Sequence, residues 1–170
     1  MKVFGFAGYS GSGKTTLIEL LIPRLVDEGL RVSLIKHAHH GFDLDRPGKD
    51  SYRHREAGAT EVFLVSSKRW VLMHELRDQP EPTLDEQLAR MSPCDLVLVE
   101  GFKYTAIPKI EVHRPANGKP LIYPENPNVI ALATDVRMAA PLPILDLNDI
   151  EAIAEFILHH TELRKPGGVR

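Results

Sequence analysis

Gly8-Tyr9-Ser10-Gly11-Ser12-Gly13-Lys14-Thr15 is a complete G-x-x-x-x-G-K-[ST] phosphate loop. Its glycines let the backbone curl until consecutive N–H groups face one phosphate. Lys14 adds a point charge that can reach the β and γ phosphates of a nucleotide, and the Thr15 hydroxyl is a Mg²⁺ ligand by type. The flanks suit the motif. Lys2-Val3-Phe4-Gly5-Phe6 reads as a short apolar strand, and the run from Thr16 to Ile22 opens a helix whose N-terminus adds partial positive charge. A glycine-rich turn with no ligand leaves the placing of Lys14 and Thr15 unexplained. Ser10, Gly11, Ser12, Gly13, Lys14, Thr15 and Thr16 are therefore expected to hold nucleotide phosphates, with Lys14 also catalytic.

The 170 residues are expected to form one domain, and a hydrophobic content of 43% supports a real core. A net charge of −2 gives no basic excess for nucleic acid or a membrane surface, so an anionic ligand must be held locally. No apolar run approaches a membrane span and no signal peptide is expected. The single cysteine, Cys94, suits a reducing cytoplasm and reads as a small core residue rather than a nucleophile.

Outward from the loop, the pattern predicts a helix from Lys14 to Glu28 through Pro23, a strand at 31–35, a polar ligand loop at 36–48 and a short helix at 50–57. Glu61–Val65 and Trp70–Met73 flank Ser66-Ser67-Lys68-Arg69 as a hairpin. Leu84, Leu88 and Met91 form a helical stripe. Strands are expected at 96–99, 107–112 (interrupted by Pro108), 129–133 and 142–145, and a last helix at 149–159. This alternation predicts an α/β fold of the P-loop NTPase type: a three-layer sandwich with a mostly parallel sheet and an added β-hairpin. Residues 1–162 are expected to form a single nucleotide-binding domain, with 61–91 inserted and 163–170 a tail.

Such a loop usually shares its metal with a carboxylate at the end of a second buried strand. Asp95 and Glu100 flank Leu96-Val97-Leu98-Val99, and ligands gather at the carboxyl ends of parallel strands. Asp95 falls about 16 Å away, at roughly 3.3 Å per residue. Glu100 is therefore the expected catalytic and metal-holding acid, with Thr15. Asp43, like Asp45, lies beyond the second strand and is a further candidate for metal or water. His37, His39 and His40 with Asp43 could hold zinc, but contact with phosphate or a second substrate suits this loop better. Asp135, ending the strand Ile130–Thr134, can accept from N1–H and N2–H₂ of guanine and is the candidate base reader, although N-K-x-D is absent.

Together, Gly8–Thr16, Lys36-His37-Ala38-His39-His40-Gly41-Phe42, Gly48–Ala59, Val99-Glu100-Gly101-Phe102-Lys103 and Thr134-Asp135 resemble the family of bacterial molybdopterin-guanine dinucleotide biosynthesis adaptors. The resemblance implies a GTP-binding protein with weak hydrolytic activity, using GTP and Mg²⁺. It also implies a homodimer and partnership with the transferase that joins GMP to molybdopterin, with molybdopterin itself a further candidate ligand. The segment 61–91 is the expected dimerisation element, since a lone apolar hairpin needs a covering surface; folding back as an antiparallel edge of the main sheet is the alternative. Two other readings stay open. One is a small-molecule kinase with a phosphate clamp of Arg46, Lys49, Arg53 and Arg55. The other is a nucleotide-gated binding module with negligible turnover, since no water-positioning glutamine or arginine finger is marked.

Overall fold

The computed structural model describes residues 1–38 and 41–163; His39, His40 and the expected tail from residue 164 lie outside them. The elements run β1 (Lys2–Ala7), α1 (Lys14–Asp27), β2 (Val32–Lys36), α2 (Asp50–Glu56), β3 (Glu61–Val65), β4 (Trp70–His74), α3 (Leu84–Arg90), β5 (Leu96–Glu100), β6 (Lys109–His113), β7 (Val129–Thr134), β8 (Ile144–Asp146) and α4 (Ile150–His160). They fall into two compact units: Met1–His37 with the chain from Ser92 onward, and Ala38–Met91.

The first unit is a six-stranded sheet in the order β2-β5-β1-β6-β7-β8. Every strand pair in it is parallel, so all carboxyl ends share one edge. The register sets Glu100 opposite both Phe6 of β1 and Lys36 of β2. β5 is buried along its whole length, as the unbroken apolar run Leu96–Val99 requires. One face of the sheet, with Phe4, Phe6, Leu98, Ile110 and Ala133, packs on Leu17, Leu21 and Leu25 of α1 and on Ile153, Ala154 and Ile157 of α4. Each leucine, isoleucine or phenylalanine among them contributes roughly 1.5–3 kcal/mol on burial. α1 runs through Pro23, and Asp149 caps α4 by accepting from Ala152 N–H at 2.9 Å. Cys94, expected in the core, is half-buried at the amino end of β5.

β6 begins two residues later than the sequence suggests. Pro108 lies just outside it and contributes only its carbonyl, which accepts from Gly5 N–H at 2.9 Å. Alternation along β6 sends Ile110 and Val112 to the helical face and Lys109 and Glu111 to the other. Both polar side chains are buried and act as staples. The Lys109 ammonium donates to the carbonyls of Phe102 (3.0 Å), Lys103 (3.1 Å) and Thr105 (2.7 Å), fixing the loop that follows Glu100. The Glu111 carboxylate accepts from Ile122 N–H and Tyr123 N–H at 2.8 and 2.9 Å. Short 3-10 turns at Pro115–Asn117 and Tyr123–Glu125 were not legible in the sequence.

In the second unit, β3 and β4 pair antiparallel as a sheet of their own, from Glu61 opposite His74 to Val65 opposite Trp70. The hairpin is thus no edge of the main sheet. Ser66 closes its turn, with its hydroxyl accepting from Lys68 and Arg69 N–H. Phe63 stacks on Trp70 with ring centroids 5.3 Å apart. Arg55 of α2 bridges Asp43, Asp45 and Glu75.

Burial pushes the Lys109 ammonium down to about 8. The unfolded chain keeps that proton to about pH 10.4, so it binds more protons between those values and folding stability gains from Lys109 as pH rises through that window. Lys109→Met should lose this gain and, by stranding three carbonyls, cost roughly 2–4 kcal/mol. Urea denaturation of both chains at neutral pH and near pH 10 measures both effects; parallel pH dependence would contradict the buried ammonium.

Candidate functional site

The chain leaves β1 at Ala7 and must turn into α1 within six residues, 8–13. Gly8 makes the first bend at φ 152°, and a Cβ there would stand 2.5 Å from the Val112 carbonyl oxygen and 2.7 Å from the Ser12 hydroxyl. No side chain fits that approach. Gly13, at φ 96°, is the N-cap of α1 and takes the first helical hydrogen bond, from Leu17 N–H at 2.9 Å. The N–H groups of Lys14, Thr15 and Thr16 therefore head the helix without intrahelical partners, beside its positive end. Ser10 and Gly11 are exposed at the tip. The Ser12 hydroxyl is buried with no hydrogen-bond partner among the described residues.

Lys14 folds over its own loop, donating to the carbonyls of Gly8 (2.8 Å) and Tyr9 (3.0 Å). Burial lowers its pKa; nearby Glu100 opposes the shift and Lys36 adds to it. The Thr15 hydroxyl donates to Glu100 Oε1 at 3.0 Å, and Lys36 Nζ lies 3.3 Å from Oε2. Glu100 itself is buried, while Lys36 is about half exposed at 54%, so their pairing is worth at most about 1 kcal/mol. Asp95 sits at the other end of β5, accepting from Arg31 N–H at 2.7 Å. Strand polarity thus brings Glu100, not Asp95, to Thr15. A hydroxyl beside a carboxylate is a hard-oxygen donor set of the kind Mg²⁺ takes, and the orphaned Ser12 hydroxyl beside a bend at Gly8 that admits no Cβ suits a phosphate oxygen.

Asp135 follows β7 and accepts from Arg114 Nη1 at 2.9 Å. Arg114, the residue after β6, also donates through Nε to the Ser12 carbonyl at 3.2 Å. Sequence reading passed over Arg114 because it ended the strand at Val112; a strand ending at His113 puts Arg114 on the ligand edge. Asn117 is a second such residue, its amide lying 3.5–3.9 Å from where a Cβ on Gly11 would stand.

Asp43 belongs to the second unit, where it and Asp45 hold Arg55 at 3.0 and 2.6 Å. The Arg55 guanidinium keeps the Asp45 carboxyl below the usual carboxylate range. His37 N–H donates to the Glu100 carbonyl at 2.9 Å and its ring tilts against Phe102. His39 and His40 lie outside the described residues, among which no group of three or more His, Cys, Asp or Glu is placed to hold a metal.

A parallel sheet whose first strand enters a helix through a phosphate loop, with an acid ending the neighbouring strand, defines a P-loop-type α/β protein. Residues 3–135 match the family described as "Molybdopterin guanine dinucleotide synthesis protein B", and the chain belongs to that family. It is 47% identical over 167 residues to the molybdopterin-guanine dinucleotide biosynthesis adapter protein of Haemophilus influenzae, covering 94% of this chain and 91% of that one. Its identity to the adapter protein of that name from Escherichia coli is 45% over 161 residues, covering 93% and 92%. The crystal structure of a MobB protein homolog from Bacillus stearothermophilus, 26% identical, superposes with a TM-score of 0.71 over 96% of this chain and all of the other.

Proposed function

We propose that this chain is a GTP-binding adaptor in molybdopterin guanine dinucleotide biosynthesis, with weak GTPase activity and with the guanylyltransferase of that reaction as its partner. Family membership supports the pathway. The observation that carries nucleotide binding is the hydrogen bond from Thr15 to Glu100 at the mouth of the phosphate loop. In this reading the N–H groups of 11–16 take the phosphates, and Lys14 exchanges the Gly8 and Tyr9 carbonyls for β and γ oxygens. Thr15 and Glu100 hold Mg²⁺, which supplies charge neutralisation between the phosphates. Turnover is slow because positioning and charge are the only aids on offer. Asp135, with Oδ2 on Arg114, keeps Oδ1 for guanine. Asp43 stays a candidate metal ligand only at the expense of its contact with Arg55. A small-molecule kinase is not favoured, since Arg55 of the supposed phosphate clamp is held by three carboxylates.

We further propose a homodimer built on the hairpin, supported by the apolar face it leaves exposed: Phe63 (57%), Val65 (72%), Trp70 (62%) and Leu72 (43%). Light scattering should give twice the chain mass for wild type and a monomer for Trp70→Glu with Leu72→Glu; an unchanged dimer would move the interface elsewhere.

Calorimetric titration of GTP, GDP and ATP with Mg²⁺, with and without the guanylyltransferase, tests the main reading. GTP should be preferred, and Lys14→Ala should weaken it by about 1.5–3 kcal/mol. Equal affinity in wild type and Lys14→Ala would overturn it.

A further inference from the structure

We infer that Arg114 forms one wall of a stacking slot for the nucleotide base, with Asp135 as the positioning residue that holds its guanidinium flat. The inference rests on the nucleotide reading above and adds a residue to it. The guanidinium lies over the start of α1: a Cβ on Gly13 would stand 3.3 Å from Nε and 3.5 Å from Nη2. Two contacts fix it there, Nε to the Ser12 carbonyl and Nη1 to Asp135 Oδ2, from two different elements. An arginine pinned at both ends of its fork loses little freedom on meeting a ligand.

A small open groove of about 140 Å³ lies beside it. It starts at Gly13 and Thr16, in the loop and first helical turn that would head the phosphates. It continues over Leu20 to Leu147 and Asn148, beyond β8. The slot thus has apolar sides and one planar cation. A strongly solvated anion gains little there, because Asp135 already offsets the charge of Arg114. A flat aromatic heterocycle gains stacking on the guanidinium and apolar cover from leucine. Asn148 Nδ2 donates to Asp146 Oδ1 at 3.1 Å, which leaves its amide oxygen, with the second oxygen of Asp135, to hydrogen-bond the edge of the ring. The groove therefore fits the base end of a nucleotide whose phosphates lie in the loop.

The test separates base from phosphate by using a ligand without a base. Affinities for GTP and for inorganic tripolyphosphate, each with Mg²⁺, are measured by calorimetry on wild type, Arg114→Met and Arg114→Lys, with thermal unfolding to confirm the fold of each. Wild type should bind GTP more tightly than tripolyphosphate. Arg114→Met should weaken GTP about five- to thirtyfold and leave tripolyphosphate unchanged. Arg114→Lys, which keeps the charge without the plane, should behave like Arg114→Met. Parallel losses for both ligands in either variant, or full rescue by lysine, would make Arg114 a phosphate contact and overturn the inference, as would unchanged GTP affinity. Failure of wild type to bind either ligand would instead remove the nucleotide reading itself.

Discussion

The pairing of β1 with β5, with Phe6 opposite Glu100, is the constraint on which the site depends. A parallel pair aligns its carboxyl ends, so the residue that ends β5 must lie beside the residues where β1 enters the phosphate loop. Glu100 reaches Thr15 for that reason, and Asp95 of the same strand does not. A register slip of one residue would turn Glu100 into the opposite face and bring Val99 to the mouth. The continuous burial of Leu96–Glu100 between two neighbours makes that slip costly. Packing of the sheet against α1 and α4 thus also fixes the distance between hydroxyl and carboxylate.

Lys14, Lys36 and Arg114 stand at this edge, and each is already tethered. Lys14 is held by loop carbonyls, Lys36 by Glu100 and Arg114 by Asp135 and Ser12. The chain's net charge is only −2, so local placing matters: Lys14 carries its charge within the phosphate loop, whereas Glu100 and Asp135 offset those of Lys36 and Arg114. The hydrogen-bond partners of Lys14 are neutral carbonyls, so a phosphate oxygen can replace them with a gain in charge pairing. Behind the edge, Lys109 and Glu111 of β6 use buried charge to pin the loops around Phe102–Thr105 and Ile122–Tyr123. β6 therefore sets the loops beside the phosphate loop as firmly as β5 sets Glu100.

What the sequence revealed was local. The phosphate loop, the run Leu96–Val99 and the hairpin around Ser66 are each specified within a few residues, and each is found where the pattern put it. Strand polarity sufficed to place Glu100, and not Asp95, beside Thr15. Lys36 and Arg114 escaped because their roles come from neighbours far along the chain: Lys36 meets Glu100 by the β2–β5 register, and Arg114 meets Asp135 by the alignment of β6 with β7. The run Arg46, Lys49, Arg53, Arg55 looked like a clamp because sequence proximity shows charge but not its counter-charges. Asp45 and Glu75, ten and twenty residues from Arg55, take it up. Pro108 misplaced the start of β6 since a proline outside a strand still serves through its carbonyl.

The most direct measurement is a crystal structure of the protein with a non-hydrolysable GTP analogue and Mn²⁺, the metal located by its anomalous signal. The expected result has Lys14 Nζ moved from the Gly8 and Tyr9 carbonyls onto phosphate, and the metal bound by the Thr15 hydroxyl with Glu100 beside it. Metal and phosphates bound elsewhere, with the Thr15–Glu100 hydrogen bond and the Lys14 contacts intact, would contradict the assignment of this edge as the nucleotide site.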